Sequence, residues 1–177
     1  MTLTALPDEV ERAHSVRDAH AADAAAIAAI YNHYVATTVI SMETEAVGAD
    51  AMAARIAEVQ RDGLPWLVLI ENGQLRGYAY ASKWRSRPGY RHALESSVYL
   101  DAAQRGRGFG LALYRALLAR LEGRFHTVIG GIALPNAASI ALHEKLGFRQ
   151  VACFHEVGHK FGDWVDVAYW QLALAPA

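Results

Sequence analysis

One cysteine, Cys153, is all that the 177 residues contain, so an internal disulfide framework is excluded. The thiol sits in the apolar run 151–154 and reads as a small buried hydrophobe in a reducing compartment. A surplus of one charge sign is also missing: seventeen Lys+Arg stand against eighteen Asp+Glu, a formal net charge of -1. The chain therefore has no global field to hold a nucleic acid backbone or an anionic membrane surface. No apolar run has the length of a membrane span. The first residues carry Asp8, Glu9 and Glu11, where a secretory signal needs positive charge and then a greasy stretch. A cytoplasmic protein with neither nucleic acid nor membrane as partner is expected.

What is present is apolar material: 53% hydrophobic residues against 20% charged, enough for one domain with a substantial core. Residues 1–13 show no period and read as a flexible N-terminal extension, with the domain over 14–177. After a short strand at 15–17, Ile27, Ile30, Tyr31 and Tyr34 recur at helical spacing within 21–35. A second helix is expected from Asp50 as N-cap to Arg61. Strands over 66–70 and 75–81 flank an Asn72-Gly73 pair, a hairpin signal. Further strands are expected over 94–100, 127–132, 148–154 and 164–172, with helices over 111–121 and 136–146, the latter stopped by Gly147. The fold class is α+β: a mixed, mainly antiparallel, twisted sheet flanked by helices.

Between the strand 94–100 and the helix that follows lies Gln104-Arg105-Gly106-Arg107-Gly108-Phe109-Gly110. Three glycines there let backbone N–H groups converge on an anion at the positive end of a helix, and the same glycines equally suit a tight surface turn. The dinucleotide pattern G-x-G-x-x-G fails because the third glycine would fall at Leu111, and the Gly-Lys-Ser/Thr of a Walker loop is absent.

Arg105-x-x-Gly108-x-Gly110 resembles the acyl-CoA pyrophosphate loop of the GNAT superfamily of N-acetyltransferases. Asn136 followed by Ser139, Leu142 and Lys145-Leu146-Gly147-Phe148 fits that family's next helix. Within the superfamily the chain resembles the phosphinothricin and methionine sulfoximine acetyltransferases through four segments, 30–35 (IYNHYV), 95–100 (ESSVYL), 143–148 (HEKLGF) and 158–166 (GHKFGDWVD). The resemblance spans roughly residues 15 to 173. It implies a GNAT-type domain, acetyl-CoA as co-substrate, a small amino-acid-like amine as acceptor, and a homodimer whose late strands help complete the site.

Acetyl transfer needs a neutral amine, and an α-amino group with a pKa near ~8 is mostly protonated at neutral pH. Glu95 matches the branch's catalytic glutamate and is the candidate base; an exposed strand-end carboxylate is its plain alternative. His143 stands where many relatives place a Tyr that protonates the departing thiolate, and it equally reads as a helix residue making one ordinary hydrogen bond. The resemblance assigns the main chain of Val98, Tyr99 and Leu100 to the thioester, provided a bulge frees that edge, and assigns Arg105, Gly106, Arg107, Gly108, Phe109, Gly110, Asn136 and Lys145 to the cofactor. It places the acceptor pocket near Lys83, Arg85 and Arg87, cations that suit a carboxylate or phosphinate, and near Met42, where the phosphinothricin enzymes carry a Phe.

His155-Glu156-Val157-Gly158-His159 spells H-E-x-x-H, the signature of zinc peptidases. That chemistry needs both histidines on one helical face, whereas Gly158, Gly162 and the flanking β-branched and aromatic residues read as strand and hairpin. No metal is expected for the reaction; a zinc hydrolase and a CoA-binding module without catalysis are the competing classes. Trp66, Trp164, Tyr169 and Trp170 alternate along strands and are expected in the core or at the dimer contact.

Overall fold

The computed structural model describes residues 14–174; the extension expected over 1–13 lies outside the described residues. Seven strands form one sheet in the order β1-β2-β3-β4-β5-β7-β6. They are β1 (His14–Asp18), β2 (Trp66–Glu71), β3 (Gln74–Lys83), β4 (Ala93–Leu100), β5 (Thr127–Ala133), β6 (Arg149–Lys160) and β7 (Asp163–Ala173). Every pairing is antiparallel except β4 with β5, so the α+β expectation holds. The helices are α1 (Ala24–Thr37), α2 (Ala49–Arg61), α3 (Phe109–Leu121) and α4 (Ala137–Lys145). None of the described helices is long and apolar enough to cross a membrane.

Alternation along the strands sorts the core into two layers. On one face Trp66, Val68 and Tyr78 pack against Ile27, Tyr34, Met52 and Ile56 of α1 and α2. On the other, Ala79, Ala81 and Leu94 meet Leu113, Tyr114, Leu117 and Leu121 of α3, with Phe148 and Trp170. The expected hairpin between β2 and β3 forms, with Asn72 at φ 51 and Gly73 at φ 74, the pair of left-handed residues that matches strand twist.

Several boundaries differ from the sequence reading. The first helical stretch begins as a 3-10 turn over Ala21–Asp23, because Asp23 is held by Arg17 at 2.7 and 2.8 Å and by the His20 N–H. Gly48, not Asp50, is the N-cap of α2, and Asp50 sits in its first turn. The late strands run longer than expected, β6 continuing through the H-E-x-x-H segment to Lys160. Cys153 is half-buried rather than buried.

Candidate active site

The sheet opens in its middle. β4 and β5 pair only at Ala93↔Thr127, Leu94↔Val128 and Glu95↔Ile129, and then diverge. The bulge expected at Val98–Leu100 is absent: β3 and β4 stay in register from Lys83↔Leu94 to Gly77↔Leu100. Divergence from β5, not a bulge, leaves the outer edge of β4 over Val98, Tyr99 and Leu100 without a strand partner. The Leu100 carbonyl takes the Tyr34 hydroxyl at 2.6 Å, which gives Tyr34 of the I-Y-N-H-Y-V segment a structural task. Asn32 of the same segment closes the loop after α1 by bonding the N–H and C=O of Val47 at 2.8 and 2.9 Å.

The opening continues as a groove of about 470 Å³ lined by β4, the glycine loop, the end of β5 and one side of α4. Val98, Tyr99, Leu100, Arg105, Gly106, Gly108, Gly110, Asn136, His143 and Lys145 all line it. Gly106 and Gly108 adopt φ of 77 and 81, a conformation side chains resist, and they turn the chain so that α3 points its first turn at the groove. Gly108 caps α3 without a side chain, which leaves the N–H groups of the first turn open to an anion. Asn136 caps α4 with its Oδ1 accepting from the Ser139 N–H at 3.2 Å, and its amide NH2 remains as a donor.

The side chains of two residues expected at the cofactor, Arg107 and Phe109, do not line the groove. Arg107 pairs with the buried Glu71, one contact being 2.9 Å, and lies over the Phe109 ring. Phe109 is itself buried in the core beside α3. Both residues brace the loop from behind. Among the expected acceptor residues, Lys83 is turned to Asp62 at 2.6 Å and lines a separate cleft against α2. Arg87 is exposed at the start of the Pro88–Tyr90 turn. Arg85 stacks on Trp84, which meets Tyr169 edge-on, and its charge reaches Glu95. Met42 lines a second cleft that shares Ile40 and Tyr99 with the groove and adds Tyr31, Ser41 and Glu43.

Glu95 and Ser96 are neighbours on β4 and so point to opposite faces. Glu95 shares the α1/α2 face with Ser82, Ser97 and Tyr80, and its Oε1 lies beside Gly131, 3.4 Å from where a Cβ there would sit. Burial pushes its carboxyl above the usual carboxylate range, with Arg85 pulling the other way. Ser96 opens a chain on the other face: its Oγ lies 2.6 Å from the Tyr114 hydroxyl, which lies 3.0 Å from His143 Nε2. His143 Nδ1 is 2.8 Å from the Ser139 carbonyl, which can only accept. Nδ1 therefore carries the proton, Nε2 accepts from Tyr114, and Tyr114 accepts from Ser96. His143 is 4% exposed, and burial holds it below the usual imidazole range against the opposing pull of the Ser139 carbonyl.

Sequence reasoning did not single out Tyr114, Ser96 or Gly130 for this cluster. A Cβ at Gly130 would meet His143 Nε2 at 2.3 Å, so the ring lies directly on the backbone of β5. The Gly130-Gly131 pair inside an expected strand is the signal that could have flagged that close approach.

The H-E-x-x-H segment lies on β6 and its histidines do not converge. His155 bonds Asp166 at 2.9 Å, while His159 packs on the Trp164 ring at 4.7 Å between centroids. The helical face required by the zinc peptidase reading does not exist here.

Comparison with known proteins agrees with this geometry. The family model described as an acetyltransferase (GNAT) domain matches residues 16–169. An L-methionine sulfoximine/L-methionine sulfone acetyltransferase of Salmonella typhimurium is 43% identical over 162 residues, covering 90% of this chain and 94% of its own. A phosphinothricin N-acetyltransferase of Streptomyces viridochromogenes is 38% identical over 157 residues, covering 88% and 85%. The crystal structure of a phosphinothricin acetyltransferase from Sinorhizobium meliloti in complex with acetyl-CoA matches with a TM-score of 0.88 at 37% identity, over 92% of this chain and 89% of that one. The open sheet, the glycine loop and likenesses that run through nearly the whole domain place the chain in the GNAT family, among the phosphinothricin and methionine sulfoximine N-acetyltransferases, as an acetyl-CoA-dependent N-acetyltransferase.

Proposed function

We propose that the chain transfers acetyl from acetyl-CoA to the amine of a small amino-acid-like acceptor, of the phosphinothricin, methionine sulfoximine or methionine sulfone type, by direct attack in a ternary complex. Acetyl-CoA supplies the acetyl group as a thioester. The open N–H groups at the start of α3, with Arg105 and Lys145, hold its phosphates, and the free edge of β4 at Val98–Leu100 aligns its arm and polarises the carbonyl. Glu95 takes the proton of the acceptor amine, directly or through a water. The single observation that carries this reading is the placement of Glu95: a half-buried carboxylate of raised proton affinity at the last β4–β5 pair, where the sheet opens.

Arg85, whose charge reaches this base, is the acceptor's carboxylate or phosphinate partner, with Met42 bounding the pocket from the α1–α2 loop. Lys83 and Arg87 drop out of the first contacts. His143, with both nitrogens engaged, holds α4 against β5. The hydrogen bonds of Ser96, Tyr114 and His143 all donate away from the groove, so the thiolate leaves without a side-chain acid and takes its proton from solvent. None of these steps calls for a metal. The setting is the cytoplasm, and the working unit is a homodimer. The dimer is supported by Val151, Phe154, Val157, Phe161 and Trp164, all of β6, β7 and their turn, which are 54–65% exposed.

Thiol release from acetyl-CoA is to be followed over phosphinothricin, methionine sulfoximine, methionine sulfone, ordinary amino acids and a polyamine. Turnover of one of the first three, lowered about 10²–10⁴-fold in Glu95→Gln, is the expected result. The variant should melt no lower than the parent, because the raised proton affinity of Glu95 means its ionised form opposes folding at neutral pH. Acetyl-CoA binding without turnover of any amine would instead identify a binding module.

A further inference from the structure

The first histidine of the H-E-x-x-H segment does meet metal-ligand chemistry, but not with the residues that the motif names. Cys153 and His155 are two apart on β6, so alternation turns both to one side of the strand. The register pairs Cys153 with Ala168 and Phe154 with Val167, which brings Asp166 of β7 opposite His155 on that same side. The sulfur, a ring nitrogen and a carboxylate oxygen of the three all lie within 4.8 Å of one another, the one such group of three found among the described residues.

The carboxylate is already oriented. Asp166 Oδ1 accepts the Glu156 N–H at 2.8 Å, and its Oδ2 lies 2.9 Å from His155 Nδ1. These contacts hold Asp166 below the usual carboxylate range. Glu156 takes φ 52 where the register of β6 slips between Phe154 and Gly158, so this bulge is built around the Asp166 side chain. Cys153 packs against the core of the α3 face, which fixes the sulfur. His155 is largely exposed and its ring can adjust.

We propose that Cys153, His155 and Asp166 form a zinc site, with water as the fourth ligand. Thiolate, imidazole and carboxylate are the donors that zinc accepts together, and bond lengths of about 2.0–2.3 Å put tetrahedral ligands about 3.2–3.8 Å apart. Closing the present group to that size takes about 1 Å of movement among the three side chains. Charge balances as well: one thiolate and one carboxylate neutralise a dication. On binding, the Cys153 thiol loses its proton to solvent and forms the S–Zn bond. The imidazole shifts its own proton from Nδ1 to Nε2, so the metal replaces the hydrogen between His155 and Asp166. The site is independent of the acetyl-transfer chemistry, and its role is to pin the β6–β7 corner.

The test uses the untagged full chain, stripped with a chelator, dialysed against zinc chloride and assayed for bound metal, with cobalt(II) as a spectroscopic probe. One zinc per chain is expected, together with a sulfur-to-cobalt charge-transfer band. Both should be lost in Cys153→Ala and His155→Ala and kept in His159→Ala, with circular dichroism showing that each variant is folded. The proposal is overturned if the folded parent retains no stoichiometric zinc, if cobalt binds without the charge-transfer band, or if His159→Ala loses metal as His155→Ala does.

Discussion

As the proposed base Glu95 acts only when ionised, so its raised proton affinity should move the acid limb of kcat/KM above that of an ordinary glutamate. Arg85 is the one charge that opposes the shift. Arg85→Ala should therefore move the acid limb to still higher pH, in addition to weakening the acceptor. A pH profile of kcat/KM in which the limb stays in place or moves down would show that Arg85 does not face the base. That Glu95 lies on the strand before the glycine loop was legible in the sequence. Which cations accompany it was not, because a long side chain takes its partner from distant sequence. Arg107 reads like Arg105 until Glu71, 36 residues earlier, claims it, and Lys83 reads like Arg85 until Asp62 does. An arginine already paired to a buried carboxylate has little left to offer an anion.

At the scale of elements, the cleft proposed for the acceptor is walled by a loop that one buried amine holds in place. Lys160, at the end of β6 and 3% exposed, donates to the Thr38 carbonyl at 2.9 Å and the Ser41 carbonyl at 2.6 Å, docking the loop after α1 onto the β6–β7 hairpin. Met42 of that loop lies over Gly158, where a Cβ would come 2.6 Å from its Sδ. Lys160→Met would leave two carbonyls without their donor and loosen the wall that carries Met42. KM for the acceptor should rise severalfold while KM for acetyl-CoA stays within twofold. Equal rises in both would mean that the amine serves the whole fold and not this wall. The helices and hairpins around the cleft follow from period and turn chemistry, as with Asn72-Gly73. The opening between β4 and β5 does not, since the apolar run 98–100 looks the same whether its outer edge is paired or free. The expected bulge was the wrong device for a correct need: an unpaired edge.

For the whole molecule, the apolar side chains left uncovered on the late strands are the surface of the proposed dimer. Trp66 and Trp170 are buried in the core as expected, whereas Trp164 is 65% exposed, beside Phe161 on the turn. Trp164→Glu should convert the dimer to a monomer in sedimentation velocity while keeping the parent's circular dichroism. A parent that already sediments as a monomer would sink the idea. The parting of β4 from β5 has a consequence of another kind. Beyond three residue pairs β4 and β5 part, so β1–β4 and β5–β7 are joined there only through the side-chain core around α3, with α4 on β5. A ligand wedged in the gap touches both and is part of the molecule's mechanical continuity, adding about 2.7 kcal/mol when present at a hundredfold its Kd. Resistance of the late strands to proteolysis and hydrogen exchange thus becomes a gauge of the acyl donor's supply, and a cell short of that donor would turn this protein over faster.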